Sequence, residues 1–119
     1  MNYVMLLYQG TTPLPGSDAW ATLSQDEQKQ IYAEYAELNK DPRITGGVPM
    51  APPVKATTVR VENGKTVTTE GPFVEMGQAV GGYLVFEADD LDAAIDLASR
   101  IPAARLGGAI EIRPSQKYW

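Results

Sequence analysis

The chain has 119 residues with 44% apolar and 21% charged side chains, which fits one globular domain over 1–119; its longest apolar runs, 3–8 and 83–86, are too short to span a membrane. A formal charge of −5, with the basic residues scattered from Lys29 to Lys117, excludes a nucleic-acid groove binder, which needs a basic face for phosphates. Without cysteine or histidine there is no disulfide framework, no thiolate chemistry, no ordinary zinc site and no imidazole acid–base, so any catalysis must use carboxylates, tyrosines, Lys/Arg or the backbone.

Residues 2–8 read as a strand, a nearly continuous Val, Tyr, Met and Leu run suited to burial on both faces. No basic n-region precedes it, so no signal peptide is expected and a cytoplasmic location follows. Residues 9–23 hold Gly10, Pro13, Pro15 and Gly16 and read as a loop. Ser24-Gln25-Asp26-Glu27 is a capping box that starts a helix bearing Ile31, Tyr35 and Leu38 at helical spacing, ended by Asp41-Pro42. Residues 45–53, with Gly46-Gly47 and Pro52-Pro53, read as an extended segment.

Asn63-Gly64 is a strong hairpin signal, because a type I′ turn needs positive φ at both central residues; it joins 56–62 to 65–69. A strand over 82–87 follows. Asp89 and Asp90 offer an N-cap to a helix whose buried stripe is read as Leu91, Ala94, Ile95 and Ala98, with Pro102 closing it. Residues 109–113 alternate Ile110 and Ile112 with Glu111 and Arg113, a strand with one apolar and one polar face. The order β-α-(ββ)-β-α-β is a ferredoxin-like α+β subunit with an antiparallel sheet and a hairpin inserted before its third core strand. Beyond Pro114 the tail ends in Tyr118 and Trp119, and burying such rings favours docking, on the partner of a dimer or on the subunit's own helices.

The run Tyr3 to Tyr8, Thr57-Thr58-Val59-Arg60, Asn63-Gly64, Gly71-Pro72-Phe73, Glu75 and Gly81-Gly82-Tyr83 resembles the YCII-related family, in particular its Asp-Gly-Pro-Phe-motif branch. Asp89-Asp90-Leu91-Asp92, Ile101-Pro102-Ala103-Ala104 and Glu111-Ile112-Arg113-Pro114 fit as well. The resemblance implies a dimeric α+β barrel, two four-stranded sheets facing each other around a cavity. The chain departs from the family pattern at Glu70, which replaces the motif Asp, at Met76-Gly77-Gln78, and at Leu97, where a Trp is common. The His–Asp pair proposed as catalytic in the wider group is missing, with Ile101 before Pro102, so that mechanism does not transfer.

Several residues are candidates for the cavity. Glu70 reads either as a cavity acid or as a turn carboxylate accepting amides of Gly71-Pro72. Glu75 and Arg60 read as a pair across the cavity, as an ion pair holding the following loop, or as merely solvated charges. Phe73 belongs to the motif. Glu111 and Arg113 share one sheet face, and if the isoleucines meet the helices these charges point toward a partner sheet, as ligand contacts or as an inter-subunit salt bridge. Tyr3, Tyr8 and Tyr83 either present hydroxyls to the cavity or pack as ordinary strand aromatics. Trp20 is a lid over the cavity or a staple on the first helix. Gly71, Gly77, Gly81 and Gly82 lack the strand–loop–helix order of a phosphate loop, and the Asp89, Asp90, Asp92 group lacks metal-ligand spacing.

The reading is therefore a homodimer binding a small polar or aromatic molecule, with no cofactor and no metal. Any reaction would be isomerase- or lyase-like proton transfer. The alternatives are a non-catalytic partner module, since the resemblance implies association with extracytoplasmic-function sigma factors, and a plain ligand-binding protein.

Overall fold

A computed structural model describes residues 1–118. Four strands form one antiparallel sheet in the order β2-β5-β1-β6: β1 (Asn2–Tyr8), β2 (Ile44–Pro49), β5 (Val80–Glu87) and β6 (Ala109–Pro114). Leaving aside the hairpin β3 (Thr57–Glu62) with β4 (Lys65–Glu70), a separate two-stranded sheet, this is the ferredoxin-like arrangement. The helices α1 (Asp18–Ala21), α2 (Gln25–Asn39) and α3 (Leu91–Ser99) complete the fold.

One sheet face is sealed by the helices. Tyr3, Met5 and Phe86 point into a core shared with Leu38 of α2, Ala94, Leu97 and Ala98 of α3, and Ile101. Cross-strand register explains why these residues meet, since Tyr3 lies opposite Phe86, Met5 opposite both Leu84 and Ile112, and Ile44 opposite Phe86. Ile110 and Ile112 pack against the same core, so Glu111 and Arg113 stand on the opposite face.

The capping box at the start of α2 is reciprocal: the Ser24 hydroxyl accepts the Glu27 amide at 3.1 Å, and the Glu27 carboxylate accepts the Ser24 amide at 3.2 Å. The hairpin turn also matches its signal, with Asn63 at φ 51° and Gly64 at φ 76°. At the far end of α2, the Asp41 carboxylate takes both the backbone amide and the guanidinium of Arg43. Arg43 in turn lies 4.9 Å over the Phe86 ring, tying the connection into β2 to the core.

The structure corrects three readings of local structure. Residues 9–23 contain α1, because Ser17 caps a single turn, its hydroxyl accepting the Trp20 amide at 3.2 Å. The Gly/Pro-rich stretch after α2 is the edge strand β2, and its glycines make the pairing possible. A bulge between Ile44 and Gly46 switches faces, so Ile44 meets the core while Val48 lies opposite Tyr83. Gly47 sits at φ 128°, and a Cβ there would stand 2.3 Å from the Tyr83 carbonyl oxygen. On α3 the buried stripe is Ala94, Leu97 and Ala98, whereas Leu91 and Ile95 are half-exposed, because the face toward Phe86 is shifted around the helix toward Ile101. α3 stops at Ser99 with Arg100 as its C-cap, and Pro102, two residues beyond, opens the 3-10 turn Pro102–Ala104, as expected of a proline that closes a helix.

The described chain is a flat plate, 52 × 39 × 19 Å, with a radius of gyration of 16.2 Å. A compact chain of this length would have roughly 13–14 Å. The thinness follows from a sheet covered on one side, and the extra spread fits the hairpin being a unit of its own, paired only with itself and exposed along nearly its whole length.

Candidate functional site

The uncovered sheet face is assembled from alternate residues of the strands that build the core. Reading across the sheet, Val48, Tyr83, Leu6 and Glu111 form one row, and Gly46, Val85, Val4 and Arg113 the next. Tyr8, opposite Ala109, continues the β1 series at one end. Val4, Leu6, Tyr8, Tyr83 and Val85 are all part-exposed. The face is thus an apolar strip along β1 and β5, flanked on β6 by one acid and one base. Glu111 and Arg113 lie 3.7 Å apart with side chains 48% and 72% exposed, a loose pair that leaves both groups open to other partners.

Two glycines shape the end of this face. Gly81 is the extra residue where the β1–β5 register slips between Leu7 and Tyr8, and the Gln9 side chain lies across it, so a Cβ would meet Gln9 Cδ at 2.3 Å. Gly82 faces the β2 backbone, with the Val48 carbonyl oxygen 3.3 Å from where its Cβ would be. The Gly-Gly pair before Tyr83 therefore serves strand packing, as its lack of a following helix suggests.

The other candidates lie away from the sheet. Arg60 on β3 stacks over the Phe73 ring at 5.6 Å and pairs loosely with Glu62 at 3.7 Å, not with Glu75 as the sequence suggests. Same-strand residues two apart share a face, which places Glu62 nearer than a residue beyond the turn. Glu75 is exposed and makes no ion pair among the described residues. Glu70 does not cap its turn. The Gly71 amide donates to the Ala56 carbonyl at 2.7 Å and the Thr58 hydroxyl to the Gly71 carbonyl at 2.8 Å, while Pro72 has no N–H to offer. The turn is satisfied without the carboxylate, which is exposed. Tyr3 is a core residue, 5% exposed. Trp20 is the staple: it is buried, its ring meets Tyr32 edge-on at 5.3 Å, and Gln28 donates to its carbonyl at 2.9 Å. Tyr118 is largely exposed, and Trp119 lies outside the described residues.

The groups whose protonation the fold shifts are structural. Hydrogen bonds from the Arg43 side chain and amide hold Asp41 at about 2. A two-pronged contact from Arg105 lowers Glu34 and joins α2 to the segment after α3. Burial raises Tyr35, opposed by a hydrogen bond with the Ala103 backbone. Among the described residues no cluster of three or more Asp or Glu is placed to hold a metal ion.

Sequence reasoning misses a cleft of about 350 Å³ at the base of the hairpin. Its walls are Met50, Pro52 and Pro53 on one side and Phe73, Val74 and Val80 on the other, with Lys55 among them. The signal was present in the two proline-stiffened stretches, Pro52-Pro53 and Gly71-Pro72-Phe73, each carrying large apolar residues that a loop has no local reason to hold.

A four-stranded antiparallel sheet in this strand order, helices on one side and a largely apolar face left bare on the other, defines a ferredoxin-like α+β protein. Residues 1–116 match the model of the YCII-related domain, and the chain belongs to that family. It is 27% identical over 123 residues to the uncharacterized protein R00369 of Rhizobium meliloti (strain 1021), an alignment covering 99% of this chain and 94% of that one. Among solved structures it is similar to 5-chloro-2-hydroxyhydroquinone dehydrochlorinase (TftG) from Burkholderia phenoliruptrix AC1100, in complex with 2,5-dihydroxybenzoquinone. That likeness has 17% identity and a TM-score of 0.48, covering 98% of this chain and 94% of the other. Identity that low says nothing of this chain's own chemistry. No helix among the described residues is long and apolar enough to cross a membrane.

Proposed function

We propose that two copies of the chain meet through the open faces of their β2-β5-β1-β6 sheets and that the chamber between them binds a small polar or aromatic molecule. The observation that carries this reading is the bare apolar strip Val4, Leu6, Tyr83 and Val85 with Glu111 and Arg113 beside it. A two-fold axis would place each sheet's strip against the other's and bring two copies of each charged residue to one enclosed space. Desolvated there, Arg113 offers a planar donor fork for an anionic or carbonyl oxygen, Glu111 an acceptor or a proton-transfer carboxylate, and the Tyr8 and Tyr83 hydroxyls further hydrogen bonds. Ser115 follows β6 directly, and its amide donates to the Asn2 carbonyl at 2.8 Å, so the chain leaves β6 still held to the margin of β1. The chemistry such a chamber supports is binding, and with Glu111 as base, proton transfer of an isomerase or lyase kind without histidine.

A thermal-shift screen of small aromatic and carboxylate compounds tests it, because binding to the native state raises the melting temperature by mass action. Hits seated in the chamber are expected to lose their effect in Arg113→Ala and to weaken in Tyr83→Phe. A screen in which every hit stabilises Arg113→Ala as well as the parent would contradict a chamber site.

A further inference from the structure

The cleft at the hairpin base has a character the open sheet face lacks. Around it gather exposed large apolar residues, Met50, Phe73 and Val74 on its walls and Val54 and Met76 in the 3-10 turns Pro53–Lys55 and Met76–Gln78 beside it. Phe73 is 74% exposed and Val54 68%. Residues so apolar, concentrated at one place and left in water, mark a binding surface.

The walls are also rigid. Pro52, Pro53 and Pro72 have restricted φ. The two 3-10 turns are closed by backbone hydrogen bonds, Lys55 to Pro52 at 2.9 Å and Gln78 to Glu75 at 2.9 Å. The segments are latched to their neighbours as well, the Met50 amide donating to the Gly81 carbonyl at 2.9 Å and Gly71 to Ala56 at 2.7 Å. A cleft held in this way loses little entropy when a ligand enters.

Its charge is of one sign. Lys55 carries the sole formal charge among the described residues lining the cleft, and it forms no salt bridge among them. Nearby, the Arg60 guanidinium lies against Phe73 and shares only a 3.7 Å contact with Glu62. In a protein of net charge −5, a cation without a carboxylate partner in an apolar cleft is the feature that selects a ligand.

We propose that this cleft binds a small apolar carboxylate, an aromatic or short aliphatic acid whose hydrocarbon part lies between Met50, Pro53, Phe73 and Val80 while its carboxylate meets the Lys55 ammonium. A volume of about 350 Å³ suits a ligand of one or two rings. The site lies within one chain, so it does not rest on the dimer.

The test titrates the full-length, ¹⁵N-labelled chain with 2-naphthoate, its neutral isostere 2-naphthamide, and acetate. Naphthoate is expected to shift the amides of Lys55, Ala56, Val74 and Ala79, and acetate to shift none of them. Naphthamide should bind roughly tenfold more weakly, the size of one charge-assisted contact. Lys55→Gln, a change at an exposed residue, should bring naphthoate down to the level of naphthamide. Equal affinity for acid and amide, an unchanged naphthoate affinity in Lys55→Gln, shifts confined to β1 and β6, or no saturation at millimolar naphthoate would each overturn the proposal. A monomeric protein that binds naphthoate in this way would sink the chamber and leave the cleft standing.

Discussion

The two faces of the four-stranded sheet are made of the same strands, residue by residue in alternation, yet they differ in what completes them. On the helix side, Met5 and Phe86 are fully buried and every large side chain finds apolar neighbours within the chain. On the other side Val4, Leu6, Tyr83 and Val85 are part-exposed, and no helix among the described residues covers them. A plate 19 Å thick has room for only one helical layer over its sheet. The lesson is that this chain carries two apolar surfaces and its helices close only one of them, which is the basis for proposing that two copies associate through the second. The hairpin repeats the pattern on a smaller scale, with Val59 and Val61 exposed on one face and Arg60 and Glu62 on the other.

Substitutions on either face can break this contrast. Phe86→Ala opens a cavity against α2 and α3 and should cost about 3–5 kcal/mol, read from denaturant unfolding. Loss under about 1 kcal/mol would mean that the helix side is not the core. Leu6→Arg places a charge in the middle of the open face; the far-ultraviolet spectrum should be retained while self-association weakens by about a hundredfold or more, as for a central interface residue.

Smaller effects sharpen the account at the margins. Thr58→Val removes the hydroxyl that holds the Gly71 carbonyl and should cost about 1 kcal/mol, whereas Glu70→Ala should stay within about 0.5 kcal/mol, since no turn amide depends on that carboxylate. The reverse order in urea melts would restore a structural role to Glu70. Acid should act on the Asp41–Arg43 clasp. Because the folded-state value of Asp41 is depressed to about 2 from 3.8, its contribution is complete above about pH 4 and is lost as the pH falls toward 2. Asp41→Asn should flatten that part of the stability profile, and an unchanged acid limb would remove the clasp from the account.

Much of the fold was legible because its signals are local. Ser24 with Glu27, Asn63 with Gly64, Asp90 before α3, and the Ile110, Ile112 alternation each act within a few residues, and each stands where the pattern puts it. What stayed hidden depends on distant partners. β2 was legible only as an extended segment, because Gly46, Gly47 and Pro49 carry no strand pattern of their own, and only the neighbouring β5 backbone explains Gly47. Leu91 and Ile95 fit a helical stripe, but the position of Phe86 decides which stripe is buried. The Arg60–Glu75 pairing failed for a similar reason, since Phe73 folds back to occupy the guanidinium. Of the candidate site, the shared face of Glu111 and Arg113 was readable from alternation. The cleft was not, because its two walls lie some twenty residues apart and are joined only by the hairpin between them.

The association of two open faces is the central claim, and light scattering on the intact chain at micromolar concentration tests it most directly. The account predicts twice the 12.9 kDa chain mass, reduced to a single chain mass in Leu6→Arg. A stable monomer for the parent chain, or a dimer indifferent to Leu6→Arg, would contradict it.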